Sequence, residues 1–163
     1  MKRNDEELLI THLFDASCKD VFDAWTDPEQ LLEWYAPDGC TIEFKSIDVR
    51  VGGEFHSCIH DPVHGECWIK GVYHAVEVPE KLVFSMVLSD AQGSVVSANA
   101  AGKPEDWPQA IVTTVTFIPV GNQTNVTLHQ TVLEVEAKKT GAYQSWFSMF
   151  ERLSSLLLPR VKR

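Results

Sequence analysis

One long apolar-faced helix closes this chain, and it limits what the rest can fold into. In the segment Gly-Ala-Tyr-Gln-Ser-Trp-Phe-Ser-Met-Phe-Glu-Arg-Leu-Ser-Ser-Leu-Leu over 141–157, Trp146, Phe150, Leu153 and Leu157 recur at helical spacing. One face of the helix is therefore wholly apolar and must be buried. From about Thr41 to this helix the chain reads instead as short alternating strands. A sheet that ends in such a helix must close around it, and the closure encloses either a solid core or a cavity.

The remaining elements follow from local signals. Residues 8–15 read as a first strand. Ser17-Cys-Lys-Asp20 starts a helix running through Trp25. Asp27-Pro28-Glu29-Gln30 starts a second short helix, which Pro37-Asp-Gly39 ends. Strands are expected at 41–50, 54–60, 66–78, 82–88, 111–118 and 124–135, separated by Gly, Pro and Asp turns. Leu82, Phe84, Met86 and Leu88 put apolar residues at every even position of one strand. Residues 92–107 form a polar loop, long for a hairpin. The order is β-α-α-β-β-β-β-β-β-α with no repeat or linker, so 1–163 is expected to form one domain. The fold class is α+β: a curved antiparallel sheet of about seven strands around a long C-terminal helix, a helix grip. The two short helices after strand one would support its open end.

Composition narrows the function classes. A 163-residue chain with 44% hydrophobic residues can bury a core without disulfides or metals. Its net charge of −9 argues against sequence-independent nucleic-acid binding, which relies on Lys and Arg against phosphate. Residues 1–40 hold ten acids against three bases, an acidic face that either is simply solvated or steers a basic partner. No apolar run is long enough to span a membrane, and the N-terminus turns acidic where a signal peptide would turn apolar. A cytoplasmic location is expected, with Cys18, Cys40, Cys58 and Cys67 as free thiols.

Several segments together carry a family resemblance. They are Val21-Phe-Asp-Ala-Trp25-Thr-Asp27-Pro28-Glu29-Gln-Leu31, Trp34 followed by Pro37, and Asp48-Val-Arg50-Val-Gly52-Gly53-Glu-Phe55. Gly71-Val-Tyr73, Pro79-Glu80-Lys-Leu82-Val-Phe84, Thr114-Val-Thr116-Phe and the 146–157 helix complete the set. The chain resembles the SRPBCC (START-like) superfamily and, within it, the C-terminal-domain family of the activator of heat-shock protein 90 ATPase. The resemblance runs from about Leu9 to Leu158 and implies the helix-grip fold. It also implies that the space under the helix is a pocket for a small hydrophobic or aromatic molecule. A chaperone partner in the stress response is the second implication, and a cyclase- or hydrolase-like activity inside the cavity the third.

If the apolar parities face inwards, Phe55, Ile59, Ile69, Tyr73, Phe84, Met86, Leu88, Val115, Phe117, Val126 and Leu128 line the sheet. Trp146, Met149, Phe150 and Leu153 would cover them, with Trp34 at the mouth. Taken alone, such a stripe reads as core, and the resemblance turns it towards a pocket. Gln130, Ser57, Thr113 and the Tyr73 hydroxyl share the inward parity and could orient a ligand.

Two further constellations are weaker. His56, Cys58, His60, His64 and Cys67 could hold zinc if the hairpin register brought Cys67 opposite Cys58. With Ile69 and Tyr73 facing inwards, Cys58 and Cys67 point to opposite faces instead, so no metal or other cofactor is expected. Catalytic motifs are lacking: the sequence offers no nucleophile elbow, no paired carboxylates on a strand and no phosphate-cradling loop. Tyr73 with Glu134 at the end of the last strand is the one acid/base pair that parity allows, while His129 should face away. Whether the chain is a monomer or a homodimer stays open, with Trp68 and Trp107 as exposed residues that either form a dimer contact or cap the open end.

Overall fold

The computed structural model describes residues 6–104 and 107–158. Glu105 and Asp106 of the expected polar loop, and the charged residues before Glu6 and after Leu158, lie outside the described residues. Among the described residues eleven elements follow in order: β1 (Glu7–Phe14), α1 (Cys18–Thr26), α2 (Pro28–Trp34), β2 (Thr41–Ile47), β3 (Glu54–Asp61), β4 (Gly65–Glu77), β5 (Lys81–Ser89), β6 (Ala110–Val120), β7 (Gln123–Leu133), α3 (Glu134–Thr140) and α4 (Ala142–Leu157). The strands form one antiparallel sheet in the order β1-β7-β6-β5-β4-β3-β2. Consecutive strands pair as hairpins from β2 to β7, and β1 closes the far edge against β7.

The caps that mark the first two helices act as expected. Ser17 Oγ accepts from the Asp20 backbone N–H at 3.2 Å, and Asp27 Oδ1 accepts from that of Glu29 at 3.1 Å. Each satisfies a backbone donor that helix geometry leaves without a partner. Pro28 occupies the first turn of α2, where its missing N–H costs nothing.

The last strand is shorter than the sequence suggested. The pattern placed strand through Val135, but β7 ends at Leu133, and Glu134–Thr140 form a helix. Acids stand in its first turn (Glu134, Glu136) and bases in its last (Lys138, Lys139), which suits the helix dipole. Gly141, at φ +86°, then turns the chain into α4. That left-handed conformation is cheap only for glycine.

Strand curvature has identifiable causes. The β2–β3 register shifts between Phe44 and Ser46, and the β4–β5 register between Tyr73 and Ala75. Such bulges bend a strand and re-aim the side chains beside them. Gly71 faces Phe55 across the β3–β4 ladder, and a Cβ there would stand 2.5 Å from Phe55 Cζ and 2.1 Å from the Ser85 carbonyl oxygen. The missing side chain lets the Phe55 ring lie across β4.

The core fills the concave side of the sheet. α1 packs on β6 and β7, α2 on β2, and α4 on β1, α2 and α3. Trp146, Met149, Phe150 and Leu153 are the buried face of α4. Trp146 stacks on Trp25 with centroids 6.0 Å apart, and Phe150 meets Phe14 edge-on at 5.4 Å. A polar link crosses this interface: Trp146 Nε1–H donates to Gln130 Oε1 at 3.1 Å, and Gln130 Nε2–H to Thr113 Oγ1 at 3.0 Å.

Candidate functional site

A cavity of about 20 Å³ lies between the sheet and the first two helices, lined by Trp25, Leu31, Tyr35, Phe44, Phe55, Tyr73, Leu82 and Phe84. Its floor comes from four neighbouring strands: Phe44 on β2, Phe55 on β3, Tyr73 on β4, and Leu82 and Phe84 on β5. The roof is Trp25 of α1, Leu31 of α2, and Tyr35 at the C-cap of α2. The volume suits about one water molecule in this conformation. Phe44 and Tyr35 are half-buried, whereas Trp25, Leu31, Leu82 and Phe84 are buried.

The cavity is chemically uneven. Six of its eight lining side chains carry aromatic rings, which gives an apolar and polarisable wall. Tyr35 and Tyr73 add two phenols, both shifted upwards by burial, so both stay protonated and able to donate at neutral pH. Trp25 is 2% exposed, and its indole Nε1–H is the one buried side-chain polar atom without a hydrogen-bond partner among the described residues. Trp34 differs in this respect: its Nε1–H donates to the Ala24 carbonyl at 2.9 Å.

Of the side chains expected to line a pocket, Phe55, Tyr73 and Phe84 do so. Trp34, expected at the mouth, is wholly buried against Trp25, with centroids 4.8 Å apart. Val115, Phe117, Val126, Leu128, Met149 and Phe150 belong to the solid core. Gln130 and Trp146 satisfy each other there and do not line the cavity. Ile59 packs on a separate small cluster of Ala36, Cys40 and Ile42. Ile69, Met86 and Leu88 are partly buried at the edge of the core. The cavity therefore sits under α1 and α2, and no residue of α4 lines it. Trp25, Leu31, Tyr35, Phe44 and Leu82 were missed. Leu82 shares its inward parity with Phe84, the signal that could have found it.

The remaining candidates resolve through register. Glu134 opens α3 and pairs with Lys138 at 3.0 Å, which takes it out of any acid/base pair with Tyr73. His129 faces away from the core and meets Glu7 at 2.9 Å. Trp107 is buried at 8% exposure under Lys103, so it forms no exposed contact patch. Trp68 is half-buried, with the Lys45 ammonium 5.2 Å from its ring centroid. All four cysteines are free. Cys58 pairs with Trp68 and Cys67 with Ile59, so the two thiols take opposite faces of the hairpin. Burial, reinforced by the Glu66 charge, pushes the Cys58 thiol up to about 11.

A seven-stranded antiparallel sheet curved over a C-terminal helix, with two short helices beside a small internal cavity, defines the helix-grip class of the START-like superfamily. Several solved structures share the fold. A protein from Arthrobacter aurescens, solved by solution NMR, superposes with TM-score 0.79 at 22% identity, covering 96% of this chain and 88% of its own. A Mycobacterium smegmatis protein gives 0.78 at 20% identity over 94% and 91% of the two chains. The AHSA1 protein of Silicibacter pomeroyi gives 0.72 at 17% identity over 93% and 97%. A search of curated proteins returns no match. The model of the family described as activator of Hsp90 ATPase homolog 1-like protein matches residues 15–158, and the chain belongs to that family. No helix of the described residues is long and apolar enough to cross a membrane.

Proposed function

We propose that this protein binds a small apolar or aromatic molecule bearing one hydrogen-bond acceptor, held between the curved sheet and α1–α2. The observation that supports this most is the unpartnered Trp25 Nε1–H in a residue that lines the cavity. A buried donor left without a partner costs about 1–3 kcal/mol, which an acceptor oxygen on a ligand would recover. The surrounding rings supply dispersion contact, and the Tyr35 and Tyr73 hydroxyls offer further donors.

A cavity of about 20 Å³ is far below the several hundred Å³ of a drug-sized site, so such a ligand enters by displacing side chains. Phe44 and Tyr35 are the half-buried members of the lining and form the natural gate. Opening reduces the apparent affinity by the fraction of molecules that are open. A cytoplasmic setting goes with this reading.

Acetophenone and ethylbenzene, alike in shape but differing by the carbonyl oxygen, test it by calorimetric titration. Acetophenone should bind about tenfold tighter or better, and Phe44→Trp, which fills the gate, should weaken both. Equal affinities would remove the role given to Trp25, and unchanged binding in Phe44→Trp would remove the location.

The family's name and the exposed acids Asp15, Asp20, Glu29 and Glu33 around α1 and α2 favour a second reading, docking to a chaperone. Purified chaperone should then hydrolyse ATP faster with this protein present, and less so with Asp20→Lys/Glu29→Lys. An ATPase rate that the protein leaves unchanged rejects this reading.

A further inference from the structure

We propose that Cys58, His60 and Glu66 form a binding site for one zinc-class divalent cation on the outer face of the β2–β3–β4 corner, with Glu43 orienting the imidazole. The site lies across the sheet from the apolar cavity and does not depend on it.

Strand alternation puts Cys58 and His60 on the same face of β3. The β3–β4 register sets His60 directly opposite Glu66, and the β2–β3 register sets Cys58 opposite Glu43. Their donor atoms converge: Cys58 Sγ lies 4.0 Å from His60 Nδ1, and His60 Nδ1 lies 3.3 Å from Glu66 Oε2. All three ligand atoms fall within 4.8 Å of one another. A tetrahedral zinc with bonds of about 2.0–2.3 Å holds its ligands about 3.3–3.7 Å apart, so small rotamer adjustments close the site.

The imidazole supplies the stronger argument. His60 Nε2 stands 2.6 Å from Glu43 Oε1. With Nε2 held by Glu43, Nδ1 is directed at Cys58 Sγ and Glu66 Oε2, where a cation would sit. A carboxylate holding the far nitrogen of a ligating histidine is the usual support of a zinc-bound imidazole. The buried thiolate-forming group beside it selects zinc over magnesium or calcium.

His60, Glu66 and Glu43 remain 36%, 55% and 50% exposed, so a cation and a fourth water ligand can reach the site. Binding releases the Cys58 thiol proton to solvent and ties β2, β3 and β4 together near the Asp61–Gly65 turn. Cys67, on the opposite face, is outside the site.

The test uses the full chain, stripped with a chelator and reloaded. Equilibrium dialysis with elemental analysis should find one zinc per chain, and cobalt(II) should give a thiolate-to-metal charge-transfer band. Cys58→Ser should lose that band, and Glu66→Gln should weaken zinc binding tenfold or more. Glu43→Gln should keep the stoichiometry but weaken binding about 10–100-fold, and Cys67→Ser should change neither. A wild-type protein without the cobalt–thiolate band at saturation overturns the proposal, whether or not Cys58→Ser folds. So does wild-type zinc affinity in Glu66→Gln. No uptake, with His60 shown by NMR to be a doubly protonated imidazolium, would make the cluster an ion pair instead.

Discussion

Replacing Gln130 by Leu tests what fixes the terminal helix against the sheet. Gln130 is 3% exposed, Thr113 0% and Trp146 6%, so neither of its hydrogen bonds can be replaced by bulk water. Leucine has nearly the same volume but leaves the Trp146 Nε1–H and the Thr113 hydroxyl without this partner. Each buried group left unsatisfied costs about 1–3 kcal/mol. Thr113 Oγ1 loses only a donor, and the apolar leucine returns part of the loss, so the net destabilisation should be about 1–4 kcal/mol. Urea unfolding by circular dichroism measures it as a lower midpoint at unchanged slope.

A double-mutant cycle with Trp146→Phe isolates the hydrogen bond from the loss of indole volume. In the Gln130→Leu background the phenyl ring removes a group that is already orphaned, so the double variant should be more stable than the sum of the singles predicts. The coupling should be about 0.5–3 kcal/mol. Additivity within about 0.3 kcal/mol would refute the idea that this bond holds α4 in place.

Two other outcomes follow from packing and titration. Gly71→Ala should cost about 1–3 kcal/mol in urea unfolding and weaken binding of small aromatic compounds, because its Cβ meets the Ser85 carbonyl and drives the Phe55 ring into the cavity. Burial against Phe14 and Phe150 lowers the His12 pKa below its ordinary 6.5, partly offset by the Glu151 charge. The unfolded chain therefore binds the His12 proton more tightly, and stability present above about pH 6.5 should be lost as pH falls from there through the lower pKa of the folded state; thermal melts of wild type and His12→Gln should diverge over that range.

Much of the fold was legible because its signals are local. Ser17 and Asp27 announce helix starts through short-range capping, and the even-position run from Leu82 to Leu88 announces a strand whose first two apolar residues are buried. α3 was hidden because it follows β7 without a side-chain cap: Leu133 holds the N-cap position and accepts nothing there. The site was harder to read. Parity predicts which face of a strand turns inwards, and Phe55, Tyr73 and Phe84 obeyed it. It cannot say which part of that face α4 seals and which part α1 and α2 leave open. That depends on Trp25 stacking on Trp146 rather than on any pattern along the chain. The outer cluster hinged on register in the same way, since Glu66 becomes the partner of His60 only through the β3–β4 pairing.

The most direct measurement is an indole-region 1H–15N NMR spectrum recorded with and without saturating acetophenone, with Trp25 assigned by its substitution to Phe. The five tryptophans give five resolvable indole signals. The account predicts that the Trp25 signal moves downfield as it gains an acceptor, while those of Trp68 and Trp107 stay in place. A Trp25 signal unmoved at saturation would contradict it.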